Sequence, residues 1–343
     1  MNQKERLAVA FITTPRFRGK HSDEIKDFVV TDLWHLCKMF DVYSTGGTYE
    51  EVMRVIRNIK FGDGGGKKVD DSIPVQIQSE EDLEKQWRRP IEDRLHKVGG
   101  GYPGMIRITN DLIVGRIDAV IHLMDWDDVA AKPDTLVLKR QANVHDVPIA
   151  CDAVTARAMV SGWKARKARG VSALELVKTG GRKLPQDIVV SDERLNKLIY
   201  KFRNHRNPEH RVIALIAHDG MKLEMCRFVV QHAIQIVEHD AILSTGTTGD
   251  WIKRFLQACG RSKEEVDKVI PCLSGPLGGD VQIAWMVVQG ICQKVIFFQD
   301  PMVSHAHATD ILLFEQALLY PEVKRALATN PGTAVELLEG GEA

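Results

Sequence analysis

An α/β fold of two tandem units, each built on its own parallel sheet, follows from three features of the sequence. Short apolar runs with strand character alternate with stretches of helical spacing. That alternation occurs twice along the chain, in the same order. In both copies a glycine-rich turn stands at the same point, residues 99–104 in the first and 275–279 in the second.

In the first copy, residues 7–12 are an apolar strand, residues 23–40 carry helical spacing, and Val42-Tyr43 leads into Ser44-Thr45-Gly46-Gly47-Thr48. In the second, residues 212–217 are the strand, residues 223–237 the helix, and Ile242-Leu243 leads into Ser244-Thr245-Gly246-Thr247-Thr248. Residues 114–125 then lie over residues 289–300. The first copy is longer, and its extra length around 62–89 is polar and charged, which reads as a surface excursion. The expected layout is a first domain over 1–162, a connector over 163–207 and a second domain over 208–343. Within the connector, the basic run 164–169 reads as a solvated face, and residues 194–202 as a helix that packs on one of the domains.

A chain of 343 residues has room for two such cores. Hydrophobic content of 44% and charged content of 27% are those of a soluble globular protein. Lys+Arg and Asp+Glu balance at 46 each, so no global field favours nucleic acid or an anionic membrane. No apolar run reaches transmembrane length, and the polar start at residues 2–6 does not resemble a signal peptide. The six cysteines are scattered without a Cys-x-x-Cys pair, as reduced thiols in a cytoplasmic protein would be.

The chemistry is expected around Ser274-Gly275-Pro276-Leu277-Gly278-Gly279-Asp280. An apolar strand, 269–273, precedes this turn, and a helix, 281–289, follows it. Such a turn leaves backbone N–H groups to hold an anion, and its glycines let a ligand approach the backbone. Taken alone, Asp280 fits either a helix cap or a base acting on the carbon next to a bound phosphate. The other strand ends of the second copy are polar too. His218 and Lys222 stand four apart, Thr245 to Thr248 supply hydroxyls and amides, and Asp300 is followed by His305, His307 and Asp310. Doubly wound sheets bind ligands at the carboxyl ends of their strands, so four polar strand ends together indicate an anion site.

Residues 211–331 resemble the methylglyoxal synthase family. The motifs are Ala217-His218-Asp219-x-x-Lys222, Thr245-Gly246-Thr247-Thr248-Gly249, Ser274-Gly275-Pro276-x-Gly278-Gly279-Asp280, Phe297-Phe298-x-Asp300-Pro301 and His307-x-x-Asp310. The resemblance implies flavodoxin-like domains. It also implies a homo-oligomer that converts dihydroxyacetone phosphate to methylglyoxal and inorganic phosphate without metal or organic cofactor. It assigns Asp280 as the base and His307 and His218 as contacts to the substrate. Asp219, Asp300 and Asp310 would orient the histidines or tune the base. Lys222, Thr245, Gly246, Thr247, Thr248, Ser274 and Gly275 fall on phosphate-binding positions. His305, His307 and Asp310 have spacing that could be misread as a metal cluster. Gln316 stands where the family has an arginine, and the chain leaves little after residues 328–331 for the family's helical tail.

The first copy departs from this pattern. Aligned strands set Met105 opposite Asp280, Thr13 and Thr14 opposite His218 and Asp219, and Phe17 opposite Lys222. Lys132 faces His307 and Thr135 faces Asp310, while Thr45, Gly46, Thr48 and Asp125 persist. A methionine takes no proton, so this copy is expected to be catalytically silent and to serve as a built-in partner of the second. The rival readings are a non-catalytic effector-binding module, as in related domains of carbamoyl-phosphate synthetase, and a lyase for another small phosphate ester.

Overall fold

The computed structural model describes the chain except for residues 1–5, 21, 62–72, 126–132, 178–183, 205–209, 304–306, 320–324 and 340–343. The chain divides into two compact units, Met1–Lys183 and Leu184–Ala343. Each is an α/β unit on a five-stranded parallel sheet, the class expected from the sequence.

In unit 1 the strands are β1 (Ala8–Thr13), β2 (Asp41–Ser44), β3 (Leu95–Lys97), β4 (Ala119–Leu123) and β5 (Ile149–Ala150), in the order β3-β2-β1-β4-β5. Unit 2 repeats the order with β6 (Val212–Ala217), β7 (Ala241–Ser244), β8 (Val269–Pro271), β9 (Lys294–Phe298) and β10 (Ala326–Ala328). Both sheets thus have the doubly wound order 3-2-1-4-5. β1 and β6 are buried along their whole length, which is why they read as unbroken apolar runs. Winding reverses at these central strands, and the crevice beyond their carboxyl ends is where such sheets take ligands.

The helices used below are α1 (Gly46–Asn58), α2 (Gly101–Ile113), α3 (Pro133–Val144), α4 (Ala153–Ala168), α5 (Gln186–Asn204), α6 (Lys222–Gln231), α7 (Gly246–Ala258), α8 (Gly279–Val288), α9 (Ala308–Leu319) and α10 (Pro331–Glu339). Among the described residues, no helix is long and apolar enough to cross a membrane.

Several elements differ from the sequence reading. The helix expected over 23–40 is interrupted by a π-helical stretch, Val29–Leu33, between Ser22–Phe28 and Trp34–Met39. Val29, Val30, Leu33 and Leu36 are all buried there. The helix expected over 223–237 pauses at His232.

The excursion at 62–89 is only partly on the surface. Residues 80–92 are helical, and Leu83, Trp87 and Ile91 sit fully buried in the core of unit 1. Their spacing of four lays one apolar stripe along an otherwise charged helix. Of the rest of that excursion, residues 62–72 lie outside the described residues, while Ile73 is buried in the same core. The expected connector falls on both sides of the division. α4 buries Val160 and Trp163 with the core of unit 1 and leaves most of its basic run exposed, whereas α5 belongs to unit 2 and buries Leu195, Leu198 and Phe202. β10 forms the edge of the second sheet, and after residues 328–331, where little was expected, the nine-residue α10 follows.

Candidate active site

In unit 2 the strand ends converge as the sequence suggests. The backbone N–H of His218 donates to the Phe298 carbonyl (3.0 Å), which carries the β6–β9 pairing one residue past the strand. His218 Nδ1 in turn accepts the backbone N–H of Asp300 (2.8 Å). A ring nitrogen that accepts carries no proton, so the neutral ring holds its proton on Nε2. The ring stands edge-on to Phe297 at 4.9 Å and to His307 at 6.5 Å.

Lys222 opens α6 after a short 3₁₀ turn, Asp219–Met221. Its Nζ donates to Asp219 Oδ1 (2.5 Å) and to Thr247 Oγ1 (2.7 Å). The ammonium therefore lies at the amino end of α7, whose N-cap is Thr245. Among the described residues no side-chain cap closes that end, and Thr245 Oγ1 donates sideways to Thr248 Oγ1 (3.4 Å). A cation over an uncapped helix start is a favourable place for an anion.

The third segment is the turn after β8. The backbone N–H of Gly279 donates to the Ser274 carbonyl (2.9 Å), and Gly278 takes φ 103°, a left-handed conformation that suits glycine. A Cβ on Gly279 would stand 2.0 Å from the Leu273 carbonyl oxygen, so the turn closes only with glycine there. Gly278 is the N-cap of α8, and Asp280 is the second residue of the helix. The capping role that Asp280 could have filled therefore belongs to Gly278. Asp280 is 2% exposed, and its Oδ2 lies 3.6 Å from His307 Nε2. Gly275 faces both groups, since a Cβ there would come within 2.9 Å of Asp280 Oδ2 and 3.1 Å of His307 Nε2.

The fourth segment leads into α9. The backbone N–H of Asp310 donates to the His307 carbonyl (2.9 Å), and Asp310 is fully buried. Asp300 reaches His218 through its backbone, while its carboxylate accepts the Met302 N–H (3.0 Å) and stands over Gly220. Asp219 is almost wholly exposed and holds the Lys222 ammonium, so its place is at the rim, with the cation. His305 lies outside the described residues.

The sequence reading missed Gln282. It is fully buried, and its Oε1 accepts both the Leu273 N–H (2.9 Å) and the Ser191 hydroxyl (2.9 Å). The signal was there: one amide in a helix otherwise apolar from Val281 to Val288.

Unit 1 repeats the frame with different chemistry, and its register corrects three alignments, including that of Asp219, whose counterpart is Pro15 rather than Thr14. Thr13 pairs with Leu123 as Ala217 pairs with Phe298, so Thr14, not Thr13, stands where His218 stands. Thr14 keeps the same bonds: its N–H donates to Leu123 (3.1 Å), and its Oγ1 accepts the Asp125 N–H (3.0 Å). The same offset places Arg18, not Phe17, opposite Lys222, and Phe17 is a buried core residue. The Arg18 guanidinium crosses Gly47, where a Cβ would come within 2.8 Å of Nη1. A lysine over threonine in unit 2 is thus an arginine over glycine in unit 1. Met105 lies buried on α2 in the place of Asp280. Thr135, on α3, donates to its neighbour Asp134, and Lys132 lies outside the described residues.

No protein-family model matches the chain. A methylglyoxal synthase of Ralstonia nicotianae is 42% identical over 128 residues, 37% of this chain and 85% of the relative. One from Thermus thermophilus is 41% identical over 101 residues, 29% of this chain and 72% of the relative. Among solved structures, the methylglyoxal synthase of Elizabethkingia anophelis is 35% identical, with 38% of this chain and 79% of that one covered and a TM-score of 0.33. A methylglyoxal synthase of Lysinibacillus sphaericus is 38% identical over 128 residues, which are 37% of this chain but 87% of the relative. With nearly the whole length of such a relative matched, the chain belongs to the methylglyoxal synthase family.

Proposed function

We propose that unit 2 is a methylglyoxal synthase, a carbon–oxygen lyase that converts dihydroxyacetone phosphate to methylglyoxal and inorganic phosphate. The observation that carries the reading is the buried Asp280 carboxylate, 3.6 Å from His307 Nε2, on a glycine turn near an uncapped helix start with a lysine over it.

In this reading the substrate phosphate lies against Lys222, the start of α7 at Thr245, Gly246, Thr247 and Thr248, and the Ser274–Gly275 backbone. Asp280 takes a proton from the hydroxymethyl carbon, and the freed electron pair forms the enediolate. Collapse of the enediolate breaks the C–O bond to phosphate, and the pair leaves with the phosphate oxygen. The three-carbon enol then gains a proton at carbon to become methylglyoxal. His307 moves protons between the two substrate oxygens, and His218 donates from Nε2 to the developing oxyanion. Asp310 and Asp300 are positioning residues, since one holds the turn of His307 and the other fixes the His218 ring.

The reading requires no metal, so treatment with a chelator should leave turnover unchanged. Six free thiols suit a reducing, cytoplasmic setting. Assembly as a homo-oligomer and the silence of unit 1 belong to the same proposal. The direct test is to incubate the full chain with dihydroxyacetone phosphate and follow both products. Equal amounts of methylglyoxal and phosphate are expected. Tight phosphate binding with neither product released would favour the effector-binding module instead.

A further inference from the structure

We propose that unit 2 carries a second anion site, for a small polyphosphate, in the groove between α5 and the β8 edge. The groove encloses about 300 Å³. Arg194, Lys197 and Lys201 enter it from α5, where spacings of three and four put them on one helix face. Lys253 enters from α7 across the groove. One acid, Asp267, lines it, so the lining carries a surplus of positive charge in a chain whose formal net charge is zero. Among the described residues none of these four cations has an ion pair. Surface cations elsewhere, such as Arg54, Lys85 and Arg227, pair with glutamates on their own helices.

The floor is apolar: Leu198 from α5, and Val269, Ile270 and Pro271 from β8. A low-dielectric wall behind converging cations focuses their field, which favours a compact multivalent anion over a single phosphate.

The groove is joined to the candidate active site by two packed connections. Lys253 rides on α7, whose first turn begins the proposed phosphate cradle, and Gly249 of that helix packs on Pro271, with an added Cβ only 3.4 Å away. α5 is also tied inward, because Ser191 donates to Gln282, which holds the Leu273 N–H just before Ser274. An anion that draws α5 and α7 together therefore acts on both segments of the cradle. This coupling, unlike the groove itself, rests on the proposed phosphate site.

The test is calorimetric titration of the full chain with inorganic tripolyphosphate. The Lys222→Ala variant should keep the groove affinity. The Arg194→Gln/Lys201→Gln variant should lose it tenfold or more while melting as the wild type does, because both side chains are exposed. Failure of the wild type to bind would overturn the proposal. So would loss in Lys222→Ala with retention in the double variant, which would place the probe in the cradle alone, and so would displacement of the probe by single-stranded DNA at equal charge. Saturating tripolyphosphate should also change the affinity for inorganic phosphate by threefold or more, reciprocally. Groove binding with no such change would overturn the coupling. All of these readings are of binding, so they hold or fail whether or not the chain turns over dihydroxyacetone phosphate.

Discussion

Gly275 sets how closely a ligand can sit between Asp280 and His307. Its missing Cβ is the space into which both groups point. Gly275→Ala should fold normally yet lower turnover on the order of a hundredfold, because a shift of about 1 Å at reacting groups costs that much. Comparison of turnover number and melting temperature separates this from a simple loss of stability. In unit 1, His122 makes a different prediction. It is buried in the middle of β4, its Nδ1 has no hydrogen-bond partner among the described residues, and burial pushes its pKa from 6.5 down to about 3. The folded chain keeps the ring neutral, while the unfolded chain protonates it below 6.5. Its stabilising contribution is therefore present above pH 6.5 and is lost as the pH falls towards 3. At pH 5 the loss should be about 2 kcal/mol. His122→Phe should flatten the dependence of melting temperature on pH over that window; an unchanged slope would contradict the assignment.

The strand–turn–helix units place every group of the site, and they were the most legible part of the sequence. The turn after β8 was readable because an apolar run, a cluster of glycines and a second apolar run leave few other local structures. β5 and β10 escaped because edge strands of two and three residues have no period to detect. The π-helical stretches Val29–Leu33 and Leu83–Arg88 escaped because their pitch arises from packing, not from local propensity. One misplaced strand end shifted the alignment of unit 1, and only the pairing register revealed Arg18 as the counterpart of Lys222. That pairing suggests an element-level test. Lys222→Ala removes the charge at the start of α7 and should weaken phosphate binding by about tenfold or more, as expected for a charge-assisted hydrogen bond. Titration with inorganic phosphate measures it, and an unaltered affinity would move the cradle elsewhere.

At the scale of the whole molecule, two sheets of the same order and register carry two different sets of strand-end residues. Unit 1 keeps Thr45, Gly46, Thr48 and Asp125 and retains a cation, yet has Met105 where unit 2 has Asp280. All turnover of the full chain should then depend on one carboxylate. The most direct measurement is made on full-length Asp280→Asn, comparing its affinity for inorganic phosphate with its rate of methylglyoxal formation from dihydroxyacetone phosphate. Phosphate affinity should stay within about threefold of the wild type, and the rate should fall by about a thousandfold or more, since neither unit then has a base. A rate within tenfold of the wild type would contradict both the role of Asp280 and the silence of unit 1.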